Sequence, residues 1–167
     1  MIEIKPDTTP LIIQDVPITK REIKPWIFVA GSIEMGKAEN WQEKLKNEME
    51  DFEGTLYNPR RDDWDSSWEQ REYNDQFNEQ VNWELDRLEE SDFIFMYFDP
   101  NTKSPISLLE LGKFCWTGNM IVVCPDDFWR KGNVEVVCTR YNVPLYNTFE
   151  EGVGALKTRV RLFHKYN

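Results

Sequence analysis

Carboxylates are the reactive groups this sequence has to offer. The chain holds a single histidine, His164, and three cysteines, Cys115, Cys124 and Cys138, with no C-x-x-C among them. A serine or cysteine nucleophile with a histidine base would have to draw on that one imidazole. A zinc site of histidine and cysteine lacks ligands at workable spacing, and no metal or cofactor is expected. Among the 30 acidic residues, most are simply solvated, but two stand out by context. Glu110 ends the string Ser104-Pro105-Ile106-Ser107-Leu108-Leu109, where every position from Ile106 on except Ser107 is apolar. Asp92 opens the continuous apolar run FIFMYF, Phe93 to Phe98.

The elements around them say where these carboxylates stand. An unbroken apolar run of this length, bounded by turn formers, suits a strand buried on both faces, as in a parallel sheet. Asp99 to Lys103 reads as a loop. Ser104 is a natural N-cap and Pro105 suits the first helical position, so Glu110 lies nearly two turns into a helix. In open α/β sheets, ligands bind beyond the carboxyl ends of the strands, which places Glu110 near the expected site. Taken alone, such a glutamate is more often solvated or capping.

The remaining chain follows the same alternation. WIFVA (Trp26 to Ala30), TLYN (Thr55 to Asn58), MIVVC (Met120 to Cys124) and Val143 to Tyr146 read as further strands. Asn40 to Asp51, Tyr73 to Glu90, Asn133 to Tyr141 and Phe149 to Phe163 read as helices, the second with Phe77, Val81, Leu85 and Leu88 as its stripe and Trp83 and Glu84 beside it. Asp86 is expected at the surface, and Gly152 and Gly154 are expected to loosen the first turn of the last helix. This order predicts an α/β fold, a flavodoxin-like, doubly wound, five-stranded parallel sheet. Met1 to Lys24, broken by Pro6, Pro10 and Pro17, reads as an irregular arm with a short edge strand at Leu11 to Ile13. Residues 25–167 form the single domain.

Composition narrows the partners. A net charge of −10 repels polyanions, and no basic stripe is present, so no nucleic-acid polymer is expected. No apolar run approaches a membrane span, no secretory start is visible, and the cysteines read as buried thiols of a reducing compartment; a cytoplasmic protein is the expectation. The stretch Gly31 to Lys37 spells G-x-x-x-x-G-K, but Ala38 follows where a phosphate loop needs Ser or Thr, and Glu34 would sit inside the cradle. The loop Arg60 to Trp68 carries Asp62, Asp63, Trp64 and Asp65, which suit a base by stacking and by accepting amino hydrogens.

The string Asp92, apolar strand, SPISLLELG resembles the nucleoside 2-deoxyribosyltransferase family and its nucleotide-hydrolysing relatives, over Trp26 to Tyr146. The resemblance implies that Glu110 is a nucleophile forming a covalent glycosyl ester, that Asp92 helps the base to leave, and that no metal is needed. It implies that Gly31-Ser32, in a G-S-I turn typical of the phosphate-handling branch, lines the sugar pocket, with a turn or N-cap serine as the alternative for Ser32, and that Ser32 and Ser104 together favour a 5′-monophosphate or a differently held hydroxyl. It places Asp62 and Trp64 in the base-binding region. Asn133 matches an asparagine that touches the sugar from a neighbouring subunit, with a helix N-cap as the alternative, and so implies a homodimer or larger homo-oligomer.

Two positions depart from the transferase pattern. Ser104 stands where transferases often carry an aspartate on the sugar 5′-hydroxyl, and the hydrolases of nucleoside 5′-monophosphates carry serine. Phe28 stands where the family often has a tyrosine orienting the nucleophile. Three functions follow. The first is 2-deoxyribosyl transfer between bases, with a nucleoside and a free base as partners. The second is N-glycosidic hydrolysis of 5′-monophosphates, and the third a catalytically silent nucleotide-binding module.

Overall fold

Residues 1–6, 23–33, 38–61 and 67–167 are described by the computed structural model. The expected strand at Leu11 to Ile13, the turn residues Glu34 to Lys37, and Asp62, Asp63, Trp64 and Asp65 lie outside them.

The apolar runs become strands for the anticipated reason. In β2 (Trp26–Gly31) and β4 (Phe93–Tyr97), successive side chains point to opposite faces, and both faces are covered. Ile27, Val29 and Phe95 join one buried cluster with Trp41, Leu45 and Leu156; Phe28, Ala30, Ile94 and Met96 join the other with Leu88, Leu111 and Val134. The first face is covered by α1 (Trp41–Glu48) and α5 (Phe149–Tyr166), the second by α2 (Asp75–Glu90), α3 (Pro105–Phe114) and α4 (Lys131–Tyr141). β3 (Thr55–Tyr57), β5 (Met120–Val123) and β6 (Leu145–Tyr146) complete the anticipated strands.

The sheet holds six parallel strands, one more than anticipated, in the order β1-β3-β2-β4-β5-β6. The addition is β1 (Ile2–Ile4), inside the stretch read as an irregular arm. Three residues with Glu3 at their centre carry no usable periodicity. The strand forms because β3 offers it a free edge, with Ile2 opposite Thr55 and Ile4 opposite Tyr57. Without β1 the order is the flavodoxin-like one. The chain leaves β2 for β3 on one side and returns to β4 on the other, so a crevice opens between the carboxyl ends of β2 and β4.

Two glycines are set by close approach. Gly31 ends β2 at φ 133°, and a Cβ there would stand 2.1 Å from the Tyr97 carbonyl oxygen. Gly152, expected to loosen α5, instead lets that helix lie on the sheet: a Cβ would meet Val123 at 2.2 Å. The helix start is held by a capping box between Thr148 and Glu151. The three cysteines are free and buried. Among the described residues, no helix is long and apolar enough to cross a membrane.

Candidate active site

The β2–β4 crevice is lined by hydroxyls. Ser32, just past Gly31, is held by its backbone N–H on the Tyr97 carbonyl (3.0 Å) and by its carbonyl, which accepts the Trp41 indole N–H (2.8 Å). Its Oγ accepts the Asp99 backbone N–H at 2.9 Å. It also lies 2.9 Å from Thr102 Oγ1 and 2.5 Å from Ser104 Oγ, which are themselves 2.7 Å apart. Thr102 sits 2.9 Å from the Asp99 carbonyl and donates to it. The three hydroxyls thus form one close polar cluster at the crevice, able to donate to or accept from a ligand hydroxyl.

Ser104 occupies the N-cap position of α3, as expected, but its side chain makes no capping bond. Its backbone is left-handed (φ 46°), a strained conformation for a non-glycine residue, and the Oγ is turned into the cluster. Asp99, 2 % exposed, accepts the backbone N–H groups of Glu39 (3.1 Å) and Asn101 (2.8 Å), which fixes the loop between β4 and α3.

Glu110 lies on the inward side of α3. Ser107, Leu111 and Phe114 are its buried stripe, and Glu110 is three residues after the first and four before the last. Burial, with the charge of Glu84 adding to it, pushes the Glu110 carboxyl up to about 8. Burial likewise pushes Glu84 on α2 up to about 7, against the hydrogen bond it accepts from Gln80 (2.6 Å). α2 and α3 thus bring two half-buried carboxyls within reach of each other's charge, and burial holds both towards their neutral forms. Gln80, 3 % exposed, also accepts from Arg61 (3.1 Å) and donates to the Pro59 carbonyl (3.3 Å), tying Glu84 to the loop after β3.

Glu84 is the residue the sequence reading passed over as a neighbour of the α2 stripe. The signal was present: the buried positions of α2 are Gln80 and Leu88, so the inward face runs through position 84, and a glutamate there is out of place. Trp83 beside it packs on Phe28 and Tyr57, with ring centroids 6.3 Å away in each case. Phe28 is fully buried and offers no hydroxyl.

Asp92 stands at the other end of the sheet. It precedes β4 and accepts the Trp26 backbone N–H (2.8 Å) and the Lys24 ammonium (3.0 Å). The length of β4, about 17 Å for five residues, separates it from the hydroxyl cluster, and the charge acting on Glu110 is that of Glu84. Asn133 is not a helix cap: α4 is capped at Arg130, and Asn133 is exposed in a groove of about 320 Å³ with Leu108, Leu111 and Val137. Ile106, Leu109 and Trp116 project on the outer side of α3 and the turn after it, each more than 60 % exposed.

The family model described as nucleoside 2-deoxyribosyltransferase like matches residues 24–128, more than half of the chain. The chain belongs to that nucleoside 2-deoxyribosyltransferase-like family. The match spans Gly31, Ser32, Glu84, Asp92, Ser104 and Glu110, and stops before Asn133. Membership supports glycosyl-transfer or N-glycosidase chemistry on small nucleoside substrates. None of the curated proteins matches the chain.

Proposed function

We propose that this member of the nucleoside 2-deoxyribosyltransferase-like family moves a 2-deoxyribosyl group between nucleobases through a covalent ester on Glu110. The observation that carries the reading is the Glu84–Glu110 pair, two half-buried carboxyls on helices that cover one sheet face and close enough for the charge of Glu84 to act on Glu110. Cleavage of an N-glycosidic bond builds positive charge on the anomeric carbon and negative charge on the departing base. The positive charge favours Glu110 as the anion, and the departing base favours the proton on Glu84. Glu110 Oε attacks the anomeric carbon as the C–N bond breaks, and the Glu84 proton goes to the base nitrogen. A second base, deprotonated by Glu84, then displaces Glu110 and restores the starting state. Ser32 and Ser104 are proposed to hold the 5′ end of the sugar with their clustered hydroxyls. Asp62 and Trp64 are proposed to contact the base. A second copy of the chain, seated on the outer apolar side of α3, is proposed to place its Asn133 at the sugar.

Asp92, for which the resemblance implies the leaving-group role, is separated from Glu84 by experiment. Whichever of Glu84→Gln and Asp92→Asn slows a poor leaving base more than a good one identifies the proton donor. The function itself is tested by chromatography of products from a deoxynucleoside incubated with and without a second base. A new nucleoside that needs the added base and is lost in Glu110→Ala is the expected result; full turnover by Glu110→Ala refutes it.

A second reading, hydrolysis of nucleoside 5′-monophosphates by the same nucleophile, draws on the start of α3. Ser104 gives α3 no side-chain capping bond, and a helix start without one is a setting that favours an anion. Sugar phosphate released without added base distinguishes it. The silent module, supported by Phe28, predicts ligand binding and no product.

A further inference from the structure

Two adjoining buried donors near the carboxyl end of β3 remain without acceptors. Gln42, at the start of α1, is 2 % exposed. Its Oε1 accepts the Arg60 guanidinium at 3.4 Å, which fixes the amide orientation and leaves Nε2 buried with no partner. The Nε–H of Arg60 is buried and unpartnered as well. Among the described residues, no carboxylate pairs with Arg60, although the chain carries ten more acids than bases. Buried donors left unmet, and a half-buried guanidinium with no counter-charge, are costly, and here two such groups adjoin.

Their place is fixed. Arg60 N–H bonds Asn58 Oδ1 (3.0 Å), and Asn58 is held in turn by its N–H on the Ile4 carbonyl (2.9 Å) and its amide on Glu3 (2.8 Å). The added strand β1 therefore anchors the loop that carries Arg60. The next residue, Arg61, bonds Gln80, which bonds Glu84. The donor pair thus lies over the carboxyl end of β3, one strand from Ser32 and one loop residue from the chain of bonds to Glu84.

We propose that Gln42 and Arg60 form a subsite for a nucleobase bearing a keto oxygen. This rests on the reading that the crevice holds a nucleoside. Two adjoining N–H donors can serve the adjacent keto oxygen and ring nitrogen of a 6-oxopurine edge, and they oppose the amino group that adenine carries in the same place. As the C–N bond breaks, negative charge spreads onto the keto oxygen, where the guanidinium stabilises it. A phosphate is the poorer fit, because the acidic Glu3 side chain adjoins through Asn58, and Asp62, Asp63 and Asp65 follow Arg61 in the sequence.

The test is direct binding of free hypoxanthine and free adenine, which differ at that one substituent, to the wild type and to Arg60→Gln and Gln42→Met. Binding needs no turnover, so its result is independent of whether the transfer reaction is found. Hypoxanthine is expected to bind the wild type about 10- to 100-fold more tightly than adenine, the weight of a charged hydrogen bond, and each variant is expected to erase that ratio. Gln42→Met removes the unmet donor together with the Oε1 that accepts Arg60, so thermal denaturation is run beside the binding assay, and a folded variant that has lost discrimination is the expected result. A wild type that does not discriminate, a ratio unchanged in both variants, or no binding of either base at millimolar concentration overturns the proposal. So does a loss in Arg60→Gln confined to 2′-deoxyinosine 5′-monophosphate and absent from 2′-deoxyinosine, which would assign the pair to the phosphate.

Discussion

Replacing Glu110 by glutamine should make the protein more stable, and only at neutral and alkaline pH. A carboxyl held at about 8 in the folded chain, against an ordinary 4.5, binds its proton more tightly folded than unfolded. Folding stability from this group is therefore fully present below pH 4.5 and is lost as the pH rises towards 8. The loss is about 1.4 kcal/mol per pH unit across that window, with a ceiling of about 5 kcal/mol. Glu110 keeps partial contact with solvent, so about 3 kcal/mol is the working size. Glutamine keeps the shape and carries no charge at any pH, so the variant escapes this loss. Urea denaturation of both proteins at intervals from about pH 4 to pH 9 reads the difference directly. The two curves should meet at the acid end and part by about 3 kcal/mol at the alkaline end, equivalent to roughly 10 °C in melting temperature for a chain of this size. Parallel curves over the whole range would mean that Glu110 is an ordinary solvated carboxylate, and the coupling to Glu84 would fall with it.

Other substitutions probe neighbouring links. Gln80→Leu removes the hydrogen bond that restrains Glu84, so the ionisation near 7 should move upward, seen as a shifted carboxyl titration by NMR and a shifted acid limb of the pH–rate profile. Glu84→Gln takes away the charge that adds to the Glu110 shift, so Glu110 should titrate lower than about 8 while burial keeps it above 4.5. Asp92→Asn should weaken the ties to Trp26 and Lys24 and cost about 1–2 kcal/mol of stability, with little change in leaving-group dependence; a large change there would return the proton-donor role to Asp92. Gly31→Ala drives a Cβ into the Tyr97 carbonyl oxygen and should cost about 3 kcal/mol or more, measured by thermal denaturation.

Much of the architecture was written locally. Apolar runs such as FIFMYF and MIVVC have one comfortable fate, a strand covered on both faces, and the alternation with helical stretches then left a parallel, doubly wound sheet. A serine-proline start and a glutamate one residue short of Leu111 marked α3 and its carboxyl. What the sequence could not determine were relations between distant segments. β1 has no signal of its own and exists because β3 has an edge to offer. Asp92 and Ser104 belong to one motif along the chain, yet β4 between them sets Asp92 at the amino end of the strand and Ser104 beyond its carboxyl end. Glu84 and Glu110 lie on different helices, and only their packing against a common sheet face brings the carboxyls within reach of each other's charge. Ser32, Thr102 and Ser104 become one cluster because β2 and β4 are neighbours, and Gln42 and Arg60 meet over the end of β3. Local sequence sets which faces must be buried; the crossing of helices over the sheet decides which side chains feel each other's charge.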